Sequence, residues 1–308
     1  AAQSLRELPS VQAFIKLYPG VSRSTPAVVT GFPWWLRLQH FLNMFFMFFI
    51  IRAGIQILAD HPRLYWKRDC TPGTEWFRFQ KDVPEHRIWT SKDDAVSLPP
   101  WLGIPGLRHT IGLARWWHLS ADLLWTVNGI AFYVLLFATN QWLRIVPLSW
   151  DVFPNSVSMA IQYASLNFPV ENLWTRFNAL QQLTYFITLF VAAPISIVTG
   201  LLQGPAISNR LGWVGRIVNR QAARSIHFIS FTWFVLFILA HGGMVFMTGL
   251  QEETNYMFAG VHNGSWSGFF IFLVAMAVVV CRLDLGLAVH HPPGAAGAED
   301  GASHGRMV

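Results

Sequence analysis

The stretch from Arg224 to Gly249, RSIHFISFTWFVLFILAHGGMVFMTG, is apolar over the length of a bilayer crossing and yet carries two histidines, His227 and His241. About 20 apolar residues cross the hydrocarbon core. Nothing there solvates an ionisable side chain, so such a residue persists only beside a partner and marks a functional site by default. Fourteen residues separate the two histidines. At 1.5 Å per residue and 3.6 residues per turn they lie roughly 21 Å apart along the helix and about 40° apart around it. Both therefore face the same neighbours, one in each half of the membrane.

The chain has 308 residues, 53% hydrophobic and 12% charged, against about a quarter charged in a usual globular domain. The fold class that follows is all-α, a polytopic transmembrane helix bundle. Two cysteines, Cys70 and Cys281, exclude a disulfide framework, a covalent haem attachment motif and a cysteine zinc site. The net charge of +6 sits in the loops, where it bears on topology and anionic lipid. No basic stripe with interleaved aromatics points to nucleic acid.

Apolar runs predict five spans: Trp34–Ala59 with His40, Ala114–Phe137 with His118, Leu180–Leu202 without a histidine, the stretch above, and an extra helix from Ser265 to Arg282. The domain plan is a surface segment over 1–33 with an amphipathic piece at Val11–Leu17, a four-helix core over 34–249, a loop and fifth helix over 250–285, and a disordered tail over 286–308. The first apolar run lacks a small-residue cleavage site, so it is not read as a signal peptide. The loop over 60–113 holds Trp66, Trp76, Trp89 and Trp101 and is too long for a mere connection. It reads as a cap that presents a docking surface, or as a folded lid with no partner. Val157–Leu166 reads as a short interfacial helix, and the connection over 203–223 carries Arg210, Arg216 and Arg220 with no acid.

Successive spans alternate direction. His40 and His241 then lie at one depth near one face, and His118 and His227 at one depth near the other. Two depth-matched pairs of imidazoles are what two bis-histidine haems require, so all four histidines are the expected iron ligands of non-covalent b-type haems. Arg37, Arg115 and Arg224 each stand three residues before one of them, in RLQH, RWWH and RSIH. That spacing puts each arginine one turn nearer water on the same face, to hold a haem propionate or to act as an interfacial anchor. Arg52, inside the first span, needs a counter-charge: a propionate, Asp122 or a lipid headgroup. Gly54, Gly129, Gly242 and Gly243 admit a close porphyrin or close helix packing. His61, His86, His109, His262, His290 and His291 read as solvated or capping histidines.

With RLQHFLN opening the first span and His118, His227 and His241 in this order, the chain resembles the di-haem cytochrome b subunits that anchor bacterial formate dehydrogenases, nickel–iron hydrogenases and thiosulfate-reductase-type molybdoenzymes. The likeness covers Trp34–Gly249. The resemblance implies a cell-membrane subunit with no substrate chemistry of its own, passing electrons through two haems between an iron–sulfur, molybdenum or nickel–iron partner and a quinone. It implies a quinone pocket beside the His40/His241 haem. There Asn43, Asn178 and Gln181 are candidate polar contacts, or equally interhelical hydrogen bonds. The long 60–113 loop and the fifth helix depart from the pattern. Lys and Arg concentrate on the face of that loop, which puts the N-terminus outside by the positive-inside rule; the resemblance puts it inside. Two other readings compete: a stand-alone transmembrane haem reductase, and a cation transporter whose histidines pass a metal ion. The transporter needs polar residues between the two sites, where the fourth span offers only Ser230 and Thr232.

Overall fold

The computed structural model describes residues 1–22, 28, 30–79, 86, 91–99, 101–102, 111–169, 173–204 and 218–290, with backbone alone at 91–92, 111 and 282–290. Trp89, His109, Arg210, Arg216, His291 and the tail beyond lie outside the described residues. Among the described residues every extended element is a helix, and one isolated antiparallel bridge joins Leu64 to Phe77. Two short helices, α1 (Ala2–Arg6) and α2 (Pro9–Leu17), precede α3 (Trp34–Asp60). A single turn, α4 (Ser91–Asp94), lies in the long loop before α5 (Ile111–Ala138). Then come α6 (Val152–Ala164), α7 (Ala179–Gln203), α8 (Arg220–Thr248), α9 (Leu250–Thr254) and α10 (Ser267–His290).

Helices α3, α5, α7 and α8 are long and apolar enough to cross a membrane. Their outer faces carry Leu123, Val127, Ile130 and Val134 on α5 and Leu236 and Leu239 on α8, all exposed, as a lipid-facing surface requires. The elements start where local chemistry predicts. Asn219 caps α8 by accepting from the Gln221 and Ala222 amides, at 2.9 and 3.0 Å. Asn178 and Gln181 form a reciprocal capping box at the start of α7. Two boundaries move. The interfacial helix begins at Val152, five residues before the expected Val157. The last helix continues through Gly286–His290, where the sequence reads as tail.

Pro194 explains the shape of α7. Its missing N–H and its ring conflict with the carbonyls one turn back, and the chain relaxes over Ile187–Ala192 into a π-helical segment. Such bulges collect at functional sites. The Leu189 carbonyl accepts a hydrogen bond from Tyr133 of α5, and Trp233 of α8 donates to Thr188 at 3.1 Å. The bulge is thereby tied to both neighbours.

The backbones approach most closely in two pairs, α3 along α5 and α8 along the second half of α7. Between the pairs the bundle is joined by side chains. At the Asp60 end of α3 a loop folds down on the start of α8: Trp76 donates to Ser225 Oγ at 2.8 Å, Ser225 donates to the Tyr65 carbonyl at 2.7 Å, and Phe77 packs on Phe228. A buried ionic knot holds this loop, in which Arg63 grips Asp94 through two hydrogen bonds of 2.7 and 3.1 Å and also contacts Glu75. At the other end Arg144, 2% exposed, holds the Gly31 and Trp174 carbonyls at 3.0 and 3.3 Å and lies over the Phe32 ring. Burial pushes its guanidinium down to about 10.

Candidate functional site

The four membrane histidines meet in the two pairs that the alternation of spans predicts. The ring centres of His40 on α3 and His241 on α8 are 6.3 Å apart, and those of His118 on α5 and His227 on α8 are 6.2 Å apart. The planes are turned by 65° and 73°, so neither pair is stacked. An imidazole nitrogen lies about 1.1 Å from its ring centre and a metal–imidazole bond is about 2.0–2.1 Å, so two rings clasping one ion from opposite sides have centres roughly 6.2 Å apart.

Three of the four rings are oriented by a neighbouring helix. The Ile50 carbonyl of α3 lies 3.1 Å from His118 Nδ1. The Ser196 carbonyl and the Thr199 hydroxyl of α7 each lie 3.1 Å from His227 Nδ1. Both carbonyls stand four residues before a glycine, Gly54 and Gly200. A Cβ at Gly54 would come within 3.3 Å of His118 Cε1, and one at Gly200 within 3.4 Å of His227 Cε1. The missing side chains open a helix carbonyl to the imidazole of the next helix. For His241 the Nδ1 partner is the Tyr185 hydroxyl at 3.4 Å, and Phe237 stacks on the ring at 5.5 Å with planes 3° apart. His40 Nδ1 is buried with no hydrogen-bond partner among the described residues. When Nδ1 donates to a carbonyl, the lone pair is left on Nε2, the usual arrangement of a metal-binding histidine. Asp122 approaches His118 Nε2 at 3.4 Å, beyond a good hydrogen bond.

Between the two pairs lies an apolar layer. Ala192, Ala193 and Phe234 form it with Met47, Trp125 and Trp233. Phe234 stands seven residues from each histidine of α8, roughly 10.5 Å along the axis. Among the described residues no group of three His, Cys, Asp or Glu side chains could hold a bare metal ion. The residues present fit a b-type haem: the paired imidazoles would hold its iron and the surrounding apolar side chains would pack on its faces.

The arginines behave less uniformly than their repeated spacing suggests. Arg224 donates to the His61 and Arg63 carbonyls, the second at 3.1 Å. Arg37 reaches the Phe258 carbonyl at 3.5 Å and packs against Gly260, whose φ of +70° and missing Cβ make room for the guanidinium. Arg115 is exposed at the start of α5, and Arg52 is buried inside α3, 7% exposed. His61 lies near Arg224 and Arg115: burial first, then these two charges, lower its imidazole from the ordinary value. Positive charge thus gathers at the end of the bundle that holds His118 and His227.

A family model described as prokaryotic cytochrome b561 matches residues 31–260. The chain belongs to the prokaryotic cytochrome b561 family. It is a bacterial membrane protein that binds b-type haem and transfers electrons, in agreement with the resemblance read from its histidines. A curated relative from Azospira oryzae, "Putative protein-methionine-sulfoxide reductase subunit YedZ1", is 26% identical over 225 residues, covering 69% of this chain and 88% of its own. No solved structure matches the chain.

A cavity of about 440 Å³ opens beside His241. It runs between α7, α8 and α9 and is lined mostly by apolar side chains, with Tyr185, Thr184 and Gln181 on one wall and Glu252, Glu253 and Tyr256 on another. Of the three expected polar contacts, Gln181 is among the described lining residues, and Asn43 and Asn178 are not. Asn178 is 3% exposed and holds Tyr163 at 2.7 Å besides capping α7. The sequence reading missed Tyr185, Thr199 and Glu252. No spacing betrays Tyr185 or Thr199, which reach their histidines from another helix; Gly54 and Gly200 carried the available signal.

Proposed function

We propose that the chain holds two b-type haems, one between His40 and His241 and one between His118 and His227, and carries electrons between a partner oxidoreductase subunit and a quinone. The observation that carries this reading is the ring separation of 6.3 and 6.2 Å, which equals what one iron between two imidazoles needs. Haem held there would supply a one-electron redox couple. The chain's own part is to fix the rings. Ile50, Ser196, Thr199 and Tyr185 hold the outer nitrogens of His118, His227 and His241, and the apolar layer around Phe234 keeps water and ions from passing between the pairs. Arg115, Arg224, Arg37 and Arg52 supply positive charge for the propionates. Arg224 directs two donors at loop carbonyls and its guanidinium has five.

A partner subunit is inferred from the relative's name, a reductase subunit. The quinone site is assigned to the cavity beside His241, whose apolar walls and few polar groups suit a small ring ligand. The apolar layer weighs against the transporter reading. The test is haem counting by pyridine haemochrome: two per chain in the wild type, and one in His118→Ala and in His40→Ala. A wild-type count of one, or loss of both haems from either variant, refutes the pairing. Purification from native membranes under mild detergent should bring a large catalytic subunit with the chain.

A further inference from the structure

The cavity beside His241 has polar groups at two separated levels. Deep in the bundle are His241 and the Tyr185 hydroxyl that touches it. Seven residues further along α8, roughly 10.5 Å towards the helix end, the lining turns to Thr248, Glu252, Glu253 and Tyr256. At this outer level one carboxylate oxygen has neighbours on both sides. Glu252 Oε1 accepts from the hydroxyl of Tyr256, a side chain 2% exposed that lines the cavity. The same oxygen lies 3.5 Å from His262 Nε2. The Glu252 and His262 side chains are 54% and 50% exposed, so this end reaches water. Glu253 is turned aside to the Thr248 hydroxyl at 2.6 Å. The groups facing Glu252 are therefore Tyr256, His262 and the neighbouring Glu253, with Tyr185 and His241 across the cavity.

We propose that Glu252 is the group through which this cavity exchanges protons with water while a quinone or quinol turns over in it, with Tyr256 positioning its carboxylate and His262 linking it to solvent. The inference rests on reading the cavity as the quinone site. In quinol oxidation two O–H bonds break, two protons leave and two electrons pass, one at a time, to the haem couple beside His241. The two protons pass in turn to the Glu252 carboxylate and through His262 to water, and quinone is the product. Quinone reduction is the same transfer reversed, with two electrons from the haem couple and two protons from water. Electrons and protons thus leave from different levels of one cavity.

The test uses the detergent-solubilised holoprotein and decyl-benzoquinone as the probe. Titration calorimetry gives its affinity, and stopped-flow absorbance gives haem reduction by the corresponding quinol at pH 7 in H2O and D2O. A positioned acid or base contributes typically 10²–10⁴-fold. Glu252→Gln should therefore keep the haem content and bind the quinone within about threefold of wild type, yet reduce haem about 100-fold more slowly at pH 7. The solvent deuterium isotope effect on its rate should change, because the proton then leaves by another route, and Glu252→Asp should restore most of the wild-type rate. An unchanged rate in Glu252→Gln, or no restoration by Glu252→Asp, overturns the proton assignment and leaves the quinone reading standing. No binding of decyl-benzoquinone by the wild-type protein overturns both.

Discussion

Gly54→Ala separates a histidine-orienting role from ordinary helix packing. Alanine is favoured over glycine inside a helix by about 0.8–1.0 kcal/mol, so α3 itself gains. The new methyl would sit 3.3 Å from His118 Cε1, inside the ordinary carbon contact of about 3.5–4.0 Å, and the ring must move by a few tenths of an ångström. That ring is held by a 3.1 Å contact from Nδ1 to the Ile50 carbonyl, near the long end of a good hydrogen bond. Lengthening it removes most of about 1 kcal/mol. Gain and loss nearly cancel in stability. They do not cancel in redox properties, because a ligand whose N–H loses its acceptor becomes less basic and favours the oxidised iron less. One kcal/mol corresponds to about 40 mV for a one-electron couple, so one haem potential should rise by up to that amount. Potentiometric titration followed in the visible band resolves it. Gly129→Ala is the control, because a methyl there meets nothing within 4 Å and should leave both potentials alone. Equal shifts in both haems, or a shift no larger than that of Gly129→Ala, refutes the orienting role.

Three further outcomes follow from the packing. Arg63→Ala strands Asp94, whose side chain is 3% exposed, and leaves Glu75 to Arg78 and the Gly73 amide; breaking a buried pair costs about 3–5 kcal/mol, and limited proteolysis should show the loop released while haem content holds. Burial alone would raise the Glu75 carboxyl, but the Glu75 and Gly73 amides and the Arg63 and Arg78 guanidiniums outweigh it and hold it below the usual range. A depressed folded value stabilises the loop above the unfolded glutamate range and is lost as pH falls through the folded one. The fluorescence of the stacked Trp66–Trp76 pair should therefore stay constant from neutral pH to about 4.3 and change only in stronger acid. Phe234→Ala empties the layer between the histidine pairs and should lower thermal stability by about 3–5 kcal/mol with both haems retained; loss of a haem would mean that the layer and the sites are not separate.

The sequence by itself determined the spans and the pairing. Trp34, Ala114 and Arg224 open apolar runs that lipid tolerates only as helices, and alternating direction leaves His40 one partner and His118 another. Other features were fixed only when helices met. Arg37 and Arg224 share a spacing, yet their guanidiniums reach carbonyls of segments far along the chain, Phe258 for one and His61 and Arg63 for the other. Tyr185, Thr199 and the Ile50 carbonyl act on histidines of neighbouring helices, and the cavity is lined by α7, α8 and α9 together. Hydrophobicity and helical period are properties of one segment at a time, so they can be read along the chain. Which nitrogen finds which oxygen depends on the distance between segments, and only the packed bundle sets that.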